Sequence, residues 1–307
     1  MRLATIVNPA LRSPTVAIAA DDEHWIPLTA LLGREMGAMT DLLPELDHQA
    51  AEWEQAAAQW TGPSHRTPEV RFLPPVPRPP NFRDFYAFEA HVKTARARRG
   101  LPMVPAWYEI PAFYFSNPHA LLGDAAPAYA PAGSAELDYE LELGVIIGRG
   151  GRDIALADAW AHVAGFTIIN DLSARDLQRA EMAIGLGPAK GKDFTTVVGP
   201  WLVPRQAFAD CIAGARLSLG MSARVNGREL SRGNVADLHH PIPALIAHAS
   251  RDATLFPGDL IGTGTVGTGC LLELGSEITG GWLKPGDLVE LEIERIGILR
   301  TPIVARP

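Results

Sequence analysis

The sequence predicts a β-rich α+β protein, with a small N-terminal α/β domain ahead of a larger main one. Three observations carry this. In the second half, strand-like and helix-like segments do not alternate regularly, which argues against a doubly wound parallel sheet. Glycine and proline punctuate that half as turns between strands require. And FLPPVPRPP, residues 72–80, is too proline-dense for a helix. It marks 73–80 as a linker between an N-terminal domain over 1–72 and a main domain over 81–307.

The elements follow in order. Residues 2–8 and 15–19 read as short strands. PELDHQAAEWEQAAAQW repeats its apolar positions at helical spacing, which predicts a helix over 44–60. After the linker, NFRDFYAFEAHVKTARARRG reads as a helix, with Asn81 as N-cap and Gly100 as its stop. Strands are expected at 111–116, 136–148, 163–170, 195–203, 214–225, 259–264, 270–274 and 288–296. Helices are expected near 155–161, 173–182 and 241–249. FPGDLIG and KPGDLVE echo each other and predict two turns of one type.

The chain has 307 residues, 47% of them hydrophobic, enough for a large core. Its net charge of −8 gives no general attraction to nucleic acid or an anionic membrane surface, though a local basic pocket can still take a small anion. Two cysteines without a CxxC argue against a thiolate zinc site or a disulfide framework, and leave a single bridge open. There is no run of about 20 apolar residues and no long apolar signal core at the start. The expectation is a cytoplasmic protein that does not span a membrane.

The chemistry gathers around ELDYELELGVIIG, residues 136–148. Glu140 and Glu142 stand at i, i+2, so on a strand they face the same way about 6.5–7 Å apart. Two carboxylates at that spacing can converge on a hard cation, which turns their repulsion into attraction; alone, they better describe an exposed acidic strand face. Glu136 and Asp138 are assigned to the exposed start of the strand. FTIIND ends an apolar run on Asp171, either a further oxygen donor or a helix cap. Asp84 offers another carboxylate, or alone reads as an exposed helix acid. His91 follows it by seven residues, two turns later on one helix face, where it can act as a general base. Arg175, Gln178 and Lys192 can clamp a substrate carboxylate, or can be solvated charges. GTGTVGTGC, residues 262–270, is neither a P-loop nor a dinucleotide fingerprint. It reads as a pocket-lining turn, Thr265 included, and it leads into LLELG, read as a strand whose Glu273 can polarise a histidine or water.

Taken together, DFYAFEAH, LDYELELGVIIG, NDLSARDLQ, GPAKGKDF, VNGREL and PGDLIGTGT…LLELG run in an order that resembles the fumarylacetoacetate hydrolase family over roughly residues 80–300. The resemblance implies a mixed β-roll, a homodimer, and one divalent cation, Mg²⁺ or alternatively Ca²⁺ or Mn²⁺. It implies Asp84, Glu140, Glu142 and Asp171 as metal ligands, with His91 as base, Glu273 behind it and Lys192 beside them in the catalytic set. It implies substrate contacts from Tyr86, Tyr114, Arg175, Gln178 and Thr265. The implied activity is hydrolytic cleavage of a C–C bond in a 1,3-dicarbonyl, an acylpyruvate or fumarylacetoacetate-like acid, by a water that His91 activates. The same site chemistry would serve a 2-keto acid decarboxylase, hydratase or isomerase, and the carboxylates alone would serve a calcium-stabilised binding module. One departure stands out. Hydrolases of fumarylacetoacetate carry an arginine nine residues after the histidine, and here that position is Gly100, preceded by Arg98 and Arg99.

Overall fold

The computed structural model describes residues 1–9, 11 and 13–307. Two sheets dominate. The larger is mixed and has twelve strands among the described residues. Its central path runs Leu3–Val7, Thr196–Pro204, Val163–Asp171, Leu141–Ile147, Leu260–Gly262, Phe82–Phe85, Phe113–Phe115. Most neighbours are antiparallel, but Leu260–Gly262 runs parallel to Phe82–Phe85. The two central strands are buried at every residue. They read as largely apolar runs because both faces are covered, and their polar residues cluster toward one end. The second sheet is antiparallel and four-stranded, in the order Arg228–Asn234, Gly220–Val225, Leu288–Ile293, Gly297–Pro302. Its inner residues Met221, Ala223, Leu291 and Ile293 join Leu143, Val145, Phe166 and Ile168 of the large sheet in one core.

Several expected elements form nearly as read: Leu3–Val7, Thr15–Ala19, Leu46–Ala58, Val163–Asp171, Thr196–Pro204, Arg175–Ile184 and Ile242–Ser250. The two PGD turns are indeed alike. In each, the aspartate accepts a hydrogen bond from the backbone three residues back, Phe256 N to Asp259 at 3.0 Å and Lys284 N to Asp287 at 2.9 Å. In each the glycine takes positive φ, 91° and 98°.

Four expectations are corrected. The segment after Asn81 is not one helix. Phe82–Phe85 is a buried strand, and the helix begins at Glu89 and ends at Ala97. Strand pairing with Leu260–Gly262 on one side and Phe113–Phe115 on the other overrides the local helical pattern. LLELG is a four-residue helix, Leu271–Leu274, not a strand. The stretch 136–148 is broken: Leu137–Asp138 pairs with Ser173–Ala174, and a new strand starts at Leu141. Asp138 is fully buried rather than exposed.

The proline-rich segment is packed and not a free tether. Pro75 accepts a 2.7 Å bond from Thr5 Oγ1, and Val76 is buried. The N-terminal strands extend the large sheet through Leu3 opposite Leu202. Leu3, Ile18, Ile26, Leu46 and Trp53 share an apolar cluster with Ile146, Ile169, Val198 and Leu260.

Candidate active site

The ends of three strands bring carboxylates together. Asp84 comes from Phe82–Phe85, Glu142 from Leu141–Ile147 and Asp171 from the last position of Val163–Asp171. One oxygen of each lies within 4.8 Å of the others, and all three residues are buried. The reason they can meet is Gly262, which pairs with Asp84 on one side and with Gly144 on the other. A Cβ there would stand 2.4 Å from Asp84 Oδ1 and 2.8 Å from Glu142 Oε2. A side chain there would force the two carboxylates to shift from this approach.

Burial, followed by the charge of Asp171, raises Asp84 well above the usual carboxylate range. Burial and the charge of Asp84 do the same to Glu142. Such a cluster is costly unless protons or a cation neutralise it. Asp84 Oδ1 is buried without a hydrogen-bond partner. The other oxygens are partly held: Gly264 N donates to Glu142 Oε2 at 3.0 Å, Thr196 Oγ1 to Asp171 Oδ1 at 3.0 Å, and Tyr114 Oη to Asp171 Oδ2 at 2.6 Å. An orphaned oxygen among three converging carboxylates is a donor set suited to a hard divalent cation.

Glu140 lies just before the strand and faces two cations. Lys192 Nζ donates to Glu140 Oε2 at 2.5 Å and to Asp171 Oδ2 at 2.6 Å. Arg175 Nη2 donates to Glu140 Oε1 at 2.7 Å. Burial alone would raise Glu140, but Lys192 and Arg175 outweigh it and hold the carboxyl far below its usual range. Burial alone would depress Lys192; the anions Asp171 and Glu140 keep it a firm ammonium instead.

His91 sits in the first turns of Glu89–Ala97 and is 4% exposed, enough only to reach the cavity. Its Nδ1 lies 2.6 Å from Glu273 Oε1. Glu273 is fixed in turn by Thr268 N, which donates to Oε2 at 3.1 Å. With Nδ1 engaged, Nε2 is the ring atom left for chemistry. The expected geometry was different. Asp84 and His91 do not share a helix face; they come from a strand and a helix that converge. Tyr86 stands edge-on to His91 with ring centroids 5.3 Å apart. Desolvation, against the opposing charge of Arg99, pushes its hydroxyl up to about 12.

A cavity of about 270 Å³ joins these groups. All twelve residues singled out in the sequence fall on or beside it: eleven line it, and Glu273 stands directly behind His91. Tyr114 and Gln178 are already engaged within the protein, Tyr114 with Asp171 and Gln178 Oε1 accepting from Arg175 Nη1 at 3.0 Å. Of the two arginines before Gly100, Arg98 turns away and donates to the backbone oxygen of Glu273 at 2.9 Å, whereas Arg99 lines the cavity. The sequence reading missed Gly262, Thr196 and Asp138. Only the glycine had a local signal, standing at the end of an apolar strand.

The family model described as fumarylacetoacetate (FAA) hydrolase C-terminal matches residues 81–304. The human mitochondrial oxaloacetate tautomerase FAHD2A is 35% identical over 77% of this chain and 70% of its own length. The Bacillus subtilis oxaloacetate tautomerase YisK is 32% identical over 83% of this chain and 80% of its own. Among solved structures, a maleylpyruvate hydrolase from Sphingobium with manganese(II) and pyruvate superposes with a TM-score of 0.73 at 25% identity, covering 99% of both chains. A 5-carboxymethyl-2-hydroxymuconate delta-isomerase from Mycobacterium smegmatis does so with a TM-score of 0.71 at 26% identity, covering 100% of both. With the matched model spanning the four-stranded sheet and every strand that meets at the carboxylates, the chain belongs to the fumarylacetoacetate hydrolase family.

Proposed function

We propose that this chain is a metal-dependent keto–enol tautomerase of a small 2-keto dicarboxylic acid of the oxaloacetate type. The observation that carries it is the His91–Glu273 pair, 2.6 Å apart, on the wall of a cavity that also holds the three-carboxylate cluster. Two curated relatives above 30% identity bear the name oxaloacetate tautomerase, which supports the choice among the family's reactions.

Asp84, Glu142 and Asp171 would hold the cation, Mg²⁺ first and Mn²⁺ or Ca²⁺ in its place, with Glu140 beside them. When bound, the cation supplies a Lewis acid that stabilises negative charge on the keto-acid oxygens. Lys192 and Arg175 add fixed positive charge on the same side and orient the near carboxylate. Arg99 and Tyr86 line the cavity, where an anionic far end of the substrate would be met. His91 Nε2 then moves the proton at the carbon next to the keto group, while Glu273 supports the imidazolium that forms. No water need enter the reaction.

Hydrolysis is the second reading, and the maleylpyruvate hydrolase neighbour favours it. There His91 would take the proton from a water instead of from carbon. A calcium-stabilised binding module does not require His91 to be held by a buried glutamate. The same family reading carries a homodimer, to be checked by light scattering.

The test follows enol decay and deuterium uptake at carbon with the Mg²⁺-loaded protein, and oxygen-18 uptake into product from labelled water. Tautomerisation predicts enol decay above the buffer rate, with no label in a new carboxylate. His91→Asn should lower turnover about 10²–10⁴-fold and leave cation affinity unchanged. Oxygen-18 in a cleaved product would make hydrolysis the reaction, and full turnover by His91→Asn would overturn the base assignment.

A further inference from the structure

Asp138 joins two parts of the site, Arg175 and the helix that carries Glu273. Its carboxylate is fully buried. On one side Oδ2 accepts from Arg175 Nε at 2.8 Å, and Arg175 Nη2 lies within 2.8 Å of the same oxygen. On the other, Oδ1 accepts from Leu271 N at 2.7 Å and Oδ2 from Leu272 N at 3.0 Å. Those are the first amides of the four-residue helix that carries Glu273, and its own N-cap residue, Cys270, makes no side-chain cap. A helix this short cannot hold its place by internal bonds. Its orphan donors are satisfied by a carboxylate 133 residues earlier in the chain. Arg175 in turn reaches Glu140 and Gln178 from the same guanidinium.

We propose that Asp138 is a positioning residue that locks the Glu273 helix to Arg175, so that His91 orientation and substrate-anion binding are set by one buried carboxylate. This rests on the reading of His91 as the proton-transfer group. Loosening Asp138 lets Glu273 drift from His91 and Arg175 drift from the cavity wall together. A residue that only supported the fold would lower the amount of active protein and nothing else.

The test uses the full chain with saturating Mg²⁺ and compares wild type, Asp138→Asn, Glu273→Gln and the double variant, normalised to folded protein. Asp138→Asn is expected to lower kcat 10- to 100-fold and to raise KM several-fold. It is also expected to increase the isotope effect on enolisation of the keto acid deuterated at the reacting carbon, because proton transfer becomes slower. The double variant should lose less than the product of the two single losses, since a displaced helix matters little once Glu273 no longer holds His91. Unchanged KM and isotope effect with multiplicative losses would make Asp138 a purely structural residue. Should Asp138→Asn not fold, Asp138→Glu keeps the charge one methylene out of place and is expected to give the same split in kcat, KM and isotope effect; wild-type values there overturn the proposal. His91→Asn serves as the control. If it is fully active, the proton-transfer reading fails; if it is inactive while the Asp138 variants are normal, only the role of Asp138 fails.

Discussion

At the scale of single residues, the site depends as much on what is small as on what is charged. Gly262 leaves the space in which Asp84 and Glu142 approach, and a methyl group there meets both carboxylates inside contact distance. Gly262→Ala is therefore expected to keep both sheets and to weaken Mg²⁺ binding, by about 10-fold or more on the scale of a 1–3 kcal/mol strain at a ligand. Titration calorimetry of the variant reads this directly, and wild-type affinity would show that the carboxylates can move aside. Lys192 illustrates the opposite case. Its ammonium is buried and shared by Glu140 and Asp171. Lys192→Met removes that partner and leaves the acids to repel. Turnover is expected to fall at least 10²-fold, in the range found when a preorganised charge is deleted, as measured by enol decay.

At the scale of elements, local pattern was a good guide where one element serves one purpose and a poor one where a neighbour intervenes. FRDF has apolar residues spaced to suit the helix that follows it, yet it forms a strand between two partners. The two PGD turns show that identical local chemistry carries different weight by position. Asp287 is buried too, but it bonds Lys284 N and Asn226, two exposed residues. Asp259 is fully buried and also bonds Asn81 at 2.9 Å and faces Arg83 at 3.5 Å. Asp287→Ala should cost about 1–2 kcal/mol, two lost bonds whose exposed donors can turn to water. Asp259→Ala should cost about 3 kcal/mol or more, because it strands a buried arginine. Denaturant unfolding of the two variants compares them, and equal losses would contradict the ranking.

At the scale of the whole molecule, the N-terminal segment and the main sheet share apolar surface. Cutting away residues 1–72 would bare Ile146, Ile169, Val198, Leu202 and Leu260. A chain of 73–307 is expected to aggregate or melt at a lower temperature than the full chain, by scattering and thermal unfolding. An equally stable fragment would support two independent domains. The pH dependence of stability is set at this scale too. Asp84 and Glu142 have folded pKa values above their unfolded ones, which lie near 4. Between those values the folded, cation-free protein binds more protons than the unfolded chain. Its stability should therefore fall as pH rises through that window. Protons compete with the cation for the same oxygens, so Mg²⁺ should bind more tightly, and stabilise more, as pH rises. Melting curves with chelator and with Mg²⁺ across pH check both signs.

The amino-acid sequence by itself determined the β-rich class, the strands around Asp171 and Glu142, the paired turns, and the twelve residues that gather at the cavity. Strand periodicity, turn chemistry and charged residues in apolar runs are local properties of the chain, whereas Tyr86 and Tyr114 were implied by the resemblance to the family alone. Tertiary structure alone decided how those residues meet. Asp84 reached the cluster from a strand and not from the helix of His91. Glu140 turned to Lys192 and Arg175, while Glu142 joined Asp84 and Asp171. Asp138, which looked like surface decoration, was drawn into the core by Arg175 and by two backbone amides from a helix far along the chain. The physical reason is common to all three. A buried carboxylate takes whichever donors surround it in space, and those donors come from elements separated by up to 134 residues of sequence.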